Sequence, residues 1–158
     1  MDRADHLGQP VKVSLAATAD AADWAAMRTA LWPGGRDVEH AADIAELLDD
    51  AGETINLIAR DAGGTALGFA EAALRRDYVN GCKTSPVAFL EGIFVTPEAR
   101  GRGVARALVG VVEAWAREQG CSEFASDAAP ENFASLDMHR ALGFEETQRV
   151  VFFRKVLL

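Results

Sequence analysis

From Phe89 to Trp115 the chain spells out a strand, a turn, a loop and a helix in immediate succession, and few folds accommodate that order at that spacing. Phe89-Leu90-Glu91-Gly92-Ile93-Phe94-Val95 is an apolar and aromatic run, the composition of a strand, interrupted by Glu91-Gly92. Thr96-Pro97 turns the chain. The basic loop Arg100-Gly101-Arg102-Gly103-Val104-Ala105 then opens a helix in which Val104, Leu108, Val111, Val112 and Trp115 recur at helical spacing, while Arg106, Glu113 and Arg117 fall elsewhere on the wheel. The first turn of any helix leaves backbone N–H groups without intrahelical partners. With Arg100 and Arg102 beside those groups, the loop makes a site for a diphosphate.

The flanking segments alternate in kind. Val11 to Leu15 reads as a first strand, followed by a helix from Asp20 to Leu31 with Trp24, Met27, Arg28 and Leu31 on one face. Trp32-Pro33-Gly34-Gly35 ends it, and an acidic helix over 38–50 turns Ile44, Leu47 and Leu48 inward. Thr54–Ala59 and Ala66–Ala72 form a hairpin about Asp61-Ala62-Gly63-Gly64. After a polar connection at 75–81 comes the central strand, 87–95, and then the helix, 103–119, stopped by Gly120. A short strand over 124–127, a helix over 132–142 and a long terminal strand over 146–156 complete the chain. At 158 residues this is one domain, 1–158, able to bury a core without disulfides or metals.

Charge excludes some functions. A net charge of −8 argues against a nucleic-acid partner and favours cationic ones, and the basic loop stands out against the acidic remainder. No apolar run is long enough to span a membrane. Met1 to His6 lacks the apolar core of a signal peptide, and Cys82 and Cys121 show no metal-ligand spacing, so the expected compartment is the cytoplasm, with both thiols reduced.

The apolar strand, the Arg-x-x-Gly-x-Ala loop and the helix resemble the acetyl-CoA motif of the GCN5-related N-acetyltransferases (GNAT). The element order and Leu142-Gly143-Phe144 carry the resemblance along essentially the whole chain. It implies the α/β (α+β) fold of that family: a mixed β-sheet splayed open at its central strands, with helices on both faces. It also implies acetyl-CoA as co-substrate and no metal. The pyrophosphate would lie on Arg100, Gly101, Arg102, Gly103, Val104 and Ala105, and the pantetheine arm along the bulged strand at Ile93, Phe94 and Val95. Asn132 matches an asparagine that relatives use on the cofactor arm; locally it also fits an N-cap.

Leu31-Trp32-Pro33-Gly34, Asp77-Tyr78-Val79-Asn80-Gly81, Ser85-Pro86-Val87, Phe89-Leu90-Glu91-Gly92, Ala125-Ser126-Asp127 and Gly143-Phe144-Glu145-Glu146-Thr147 are similar to the aminoglycoside 6′-N-acetyltransferase subgroup. That implies a homodimer, in some relatives with exchange of the C-terminal strand, and a drug pocket lined by Trp32, Tyr78, Glu91 and Asp127. Relatives carry a glutamate where this chain has Gln148, which accepts a hydrogen bond but brings no charge. The chemistry suits a polyamine sugar, which needs carboxylates for its ammonium groups and an aromatic face for a ring. Glu91 is costly in an apolar strand unless it faces a wet cleft.

Attack on a thioester needs a neutral amine, so Asp127 and Glu91 are the expected proton acceptors. Backbone N–H groups near Ile93 and Val95 would polarise the carbonyl. The family expectation is direct transfer in a ternary complex. His139 stands where many members place a tyrosine acid, and is the candidate donor to the departing thiolate. Two other readings use the same residues: acetyl transfer to another amine (a polyamine, a peptide N-terminus, a small metabolite), and a non-catalytic acyl-CoA-binding module.

Overall fold

The computed structural model describes residues 10–34, 37–50 and 52–158, the side chain of Asp37 excepted; the polar stretch 1–9 and Gly35 lie outside them. In chain order the elements are β1 (Lys12–Leu15), α1 (Ala21–Leu31), α2 (Asp37–Asp49), β2 (Thr54–Arg60), β3 (Ala66–Arg75), β4 (Val87–Val95), α3 (Val104–Glu118), β5 (Phe124–Ser126) and α4 (Phe133–Ala141).

The strands form one sheet in sequential order, β1-β2-β3-β4-β5. The first four are antiparallel neighbours, and β5 returns parallel to β4 through the α3 crossover, so the sheet is mixed as expected. The hairpin between β2 and β3 closes on Asp61, whose Oδ1 accepts the N–H groups of Gly63 and Thr65, each at 2.9 Å.

Alternation along β2 sorts the core. Ile55, Leu57 and Ala59 face α3 with Leu67, Leu90, Val104, Leu108 and Val112, whereas Ile58 faces α1 and α2 with Trp24, Met27, Ile44 and Phe69. Helices therefore cover both faces. The wheel of α3 is rotated slightly from expectation: Val109 is buried and Val111 is 37% exposed. Asp20 precedes α1 but does not cap it through its side chain; Oδ2 accepts from Ala17 N and Oδ1 from Arg60.

The terminal strand is the one expected element that does not form. Residues 144–158 form no regular element and pair with no described strand. Val151, Phe152 and Phe153 are 77%, 87% and 93% exposed. Glu146–Val156 carries the pattern of a strand but pairs with none among the described residues.

Candidate active site

The break at Glu91-Gly92 is a β-bulge. Leu90 pairs with Ala72 and Gly92 with Glu71, which leaves Glu91 as the extra residue of β4. The side-chain parity changes there: Leu90 and Ile93, three apart, both join the core under α3, so Glu91 and Gly92 together face α1 and α2. Gly92 is required because Trp32 lies on it; a Cβ there would come within 2.5 Å of the Trp32 ring. Trp32 therefore packs on the residue that follows Glu91.

β5 pairs with β4 only from Ala88 to Leu90, ending at the pair Leu90↔Ser126. Beyond it, Glu91 to Val95 have no partner strand on that edge among the described residues, and the sheet splays. Val95 leads through a short turn at Pro97–Ala99 to the exposed loop Arg100–Gly103, with Gly101 at φ 76° and Gly103, the N-cap of α3, at φ 81°. Arg100 folds back so that Nε donates to the Val95 carbonyl at 3.2 Å. An open strand edge leading to unpaired N–H groups flanked by Arg100 and Arg102 fits an extended ligand with a diphosphate end. Asn132 caps α4, its Oδ1 accepting from Ser135 N at 3.2 Å, so the N-cap is observed.

On the other side of the splay a cleft of about 1130 Å³ gathers Tyr78, Asp127, His139 and Gln148 with Arg75 and Phe89. Tyr78 is 75% exposed and Asp127 and Gln148 are also exposed, as residues that await a ligand would be. Trp32 and Glu91 do not line this cleft; Arg75 connects Glu91 to it. Arg75 meets the Glu91 carboxylate with Nη2 at 2.9 Å from both oxygens and lies 3.5 Å above the Phe89 ring. Both members of that pair are substantially exposed, so the interaction is worth about 0–1 kcal/mol and exchanges readily with another cation. Glu146, within the cleft wall, is held below the usual carboxylate range by the hydrogen bond from Arg149, with Arg140 adding to it.

Beneath Trp32 lies a buried polar cluster. Glu71 accepts from Trp24 Nε1 at 2.9 Å and from Arg28 Nη1 at 2.6 and 2.7 Å. Arg28 also reaches Asp43 at 2.8 Å and His40 Nδ1 at 3.2 Å, and its guanidinium sits 4.9 Å from the Trp32 ring centre. Arg28, His40 and Glu71 are nearly inaccessible. Burial pushes the Glu71 carboxyl up, and the charge of Arg28 and the bonds from Trp24 and Arg28 return only part of that cost.

His139 has a defined hydrogen-bond geometry. Nδ1 lies 2.7 Å from the Ser135 carbonyl, which can only accept, so Nδ1 carries a proton; when the ring is neutral, Nε2 is then an acceptor. Ser126 Oγ is 2.7 Å from Nε2. The Phe144 ring stands edge-on to the imidazole at 5.2 Å.

The sequence singled out the break at Glu91-Gly92, the glycine loop and Asp127, but gave no site role to Arg75, Ser126 or the Arg28–Glu71 pair. Arg75 and Ser126 lacked any local signal. Glu71 had one: it is a carboxylate at the centre of an apolar strand, the same argument applied to Glu91. No described group of three or more His, Cys, Asp or Glu side chains could hold a metal.

Comparison with known proteins places this geometry. The model of the Acetyltransferase (GNAT) family matches residues 22–144. The aminoglycoside N(6′)-acetyltransferase type 1 of Salmonella typhimurium is 54% identical over 132 residues, covering 84% of this chain and 90% of that protein. The protein of the same name from Stenotrophomonas maltophilia is 49% identical over 142 residues, covering 90% and 91%. Among solved structures, AAC(6′)-Iy in complex with the bisubstrate analog CoA-S-monomethyl-acetylneamine superposes with a TM-score of 0.88 at 48% identity, over 94% of this chain and 99% of that one. The aminoglycoside 6′-N-acetyltransferase AAC(6′)-Ih from Acinetobacter baumannii gives 0.88 at 46% identity, over 94% and 99%.

Proposed function

The chain belongs to the GNAT acetyltransferase family, and from that premise we propose that it acts as an aminoglycoside 6′-N-acetyltransferase. It transfers the acetyl group of acetyl-CoA to the 6′-amino group of aminoglycoside antibiotics and confers resistance to them. The observation that carries the reading is the bulge at Glu91. It sets a carboxylate on the face opposite α3, next to the glycine on which Trp32 packs and to the splay where the cofactor edge begins.

Each residue then has a task. The loop Arg100–Gly103 and the first turn of α3 hold the diphosphate of CoA, and the open edge of β4 at Ile93, Phe94 and Val95 lies along its arm. One N–H of that edge polarises the thioester carbonyl. Asp127 continues the alternation of β5, in which Ala125 packs with Phe89, and so faces the same side as Glu91. These two carboxylates bind the substrate ammonium and take its proton, and Glu91 exchanges Arg75 for the substrate as it does so. Tyr78 and Trp32 supply ring faces, and Gln148 accepts a hydrogen bond without adding charge. Transfer is direct, in a ternary complex.

The exposed apolar segment Val150–Phe153 supports a homodimer in which each arm pairs with its partner's sheet, since apolar runs of this length rarely remain in water. No helix among the described residues is long and apolar enough to cross a membrane. We place the protein in the cytoplasm and read residues 1–158 as one acetyltransferase domain.

The test is acetyl transfer followed by release of free thiol, with a 6′-amino aminoglycoside, its 6′-hydroxy counterpart, spermidine and a lysine peptide. Turnover confined to the 6′-amino compound is expected. Turnover only with spermidine or peptide would replace the drug by another amine, and CoA binding without turnover would make the protein a binding module. Sedimentation of the full chain, against a chain ending at Arg149, tests the arm: dimer and monomer respectively.

A further inference from the structure

Ser126 is the last residue of β5 and pairs with Leu90 at the point where the sheet opens. Paired residues of a sheet share a face, and Leu90 belongs to the core under α3. Ser126 therefore faces the α3 side of the splay, where the cofactor edge of β4 starts. Its neighbour Asp127 follows just past the end of β5, and Ser126, Asp127 and His139 all line the same cleft. Two successive residues thus place a hydroxyl and a carboxylate at one opening.

The hydroxyl is not idle. Nδ1–H of His139 is committed to the Ser135 carbonyl, so Nε2 accepts the Ser126 hydroxyl proton at 2.7 Å. The imidazole is further fixed by Phe144, which itself packs on Phe124 of β5 with ring centres 5.0 Å apart. A serine hydroxyl bonded to an acceptor imidazole, whose other nitrogen is held by a third group, is the arrangement of an activated hydroxyl.

We propose that Ser126 is a catalytic residue, a relay that carries a proton between the reacting nitrogen and the CoA sulfur with His139 as its reservoir. The inference rests on the acetyltransferase reading. The substrate ammonium gives its first proton to the carboxylates on the Glu91 side. The nitrogen lone pair then bonds to the acetyl carbon, which leaves nitrogen with two protons and a positive charge. Ser126 Oγ accepts one of them while passing its own proton to His139 Nε2. The carbon–sulfur bond breaks with its electron pair on sulfur, and the imidazolium returns the proton through Oγ to that sulfur. The products are an amide and a neutral thiol. Ser126 and His139 end as they began, and one proton leaves through the carboxylates. In this scheme His139 never touches the sulfur itself, because Ser126 stands between.

The experiment compares full-length wild-type protein with Ser126→Ala, Ser126→Thr, His139→Gln and the Ser126→Ala/His139→Gln double variant, at saturating acetyl-CoA and a 6′-amino aminoglycoside. Loss of kcat by about 100-fold is expected for Ser126→Ala and for His139→Gln, with both KM values within about threefold. The double variant should be no slower than either single one, since a relay works as a unit. Ser126→Thr, which keeps the hydroxyl, should recover most of the rate. Independently of turnover, the 15N resonance of His139 Nε2 should report an unprotonated acceptor in wild type and shift in Ser126→Ala. Active wild type with kcat of both single variants within twofold overturns the relay alone, as does an Nε2–H tautomer. Additive losses in the double variant overturn it too. Wild type inactive on every amine overturns the acetyltransferase reading and the relay with it.

Discussion

Replacing Glu71 by leucine removes the acceptor of Trp24 Nε1 and both short contacts to Arg28 Nη1, while roughly keeping the volume. The guanidinium left behind has a side-chain exposure of 7% and retains Asp43, which is itself 55% exposed and therefore screened. Breaking a buried pair from one side costs about 3–5 kcal/mol, because the remaining charge is uncompensated. Since Asp43 and His40 still bond Arg28, the lower end applies, about 3 kcal/mol. For a domain of this size that is a drop in Tm of roughly 6–12 °C. Equilibrium urea unfolding followed by tryptophan fluorescence and circular dichroism measures it. The raised pKa of Glu71 shows that its burial cost exceeds what its partners return. The double variant Arg28→Met/Glu71→Leu should therefore be more stable than either single one, and within about 1 kcal/mol of wild type. The double variant should also bind the aminoglycoside less well, because Trp32 no longer rests on the guanidinium. A single variant within about 0.5 kcal/mol of wild type, the scatter of surface substitutions, would refute the buried-pair account. So would a double variant as unstable as the sum of the singles.

Three further outcomes are expected. Gly92→Ala drives a Cβ into Trp32, at 2.5 Å from one ring carbon and 2.6 Å from the next, so the aminoglycoside KM should rise about tenfold while the acetyl-CoA KM barely moves; equal rises in both would count against Trp32 as a wall of the drug site. Asp127→Asn and Glu91→Gln should each lower kcat by about 10²-fold or more near neutral pH, with part of the loss recovered at alkaline pH, where the amine is neutral without help; rates unchanged in both would remove the carboxylates from the chemistry. Stability should fall in acid. Burial alone would raise Asp20, but Arg60 and Ala17 N–H more than offset it, and Glu123 is lowered by the Thr84 hydroxyl and the N–H groups of Lys83 and Thr84. A carboxylate whose folded pKa lies below its unfolded value stabilises above roughly pH 4, and that contribution is lost as pH falls through the folded value. Urea midpoints measured from pH 6 downward should therefore decline less steeply in Asp20→Asn/Glu123→Gln than in wild type.

Local chemistry was enough to define much of this protein. The period of α1, α2 and α3, the hairpin on Asp61 and the glycine loop before α3 are set by neighbours a few residues apart, and each of these elements lies within three residues of its expected bounds. The same holds for Glu91: a charge followed by glycine within an apolar strand has few local solutions, and the bulge is one of them. Residues whose roles depend on distant partners could not be read that way. Arg75 meets Glu91 across two strands, Arg28 meets Glu71 43 positions further along the chain, and Ser126 meets His139 only because α4 folds back on the end of β5. The terminal segment shows the limit most plainly. Its alternation carries the strand signal, yet Glu146–Val156 pairs with no strand among the described residues, because pairing depends on a partner and not on the pattern alone. Sequence by itself determined the local elements from β1 to α4; only the tertiary structure decided which side chains meet and which strand goes unpaired, because those depend on contacts between residues far apart in the chain.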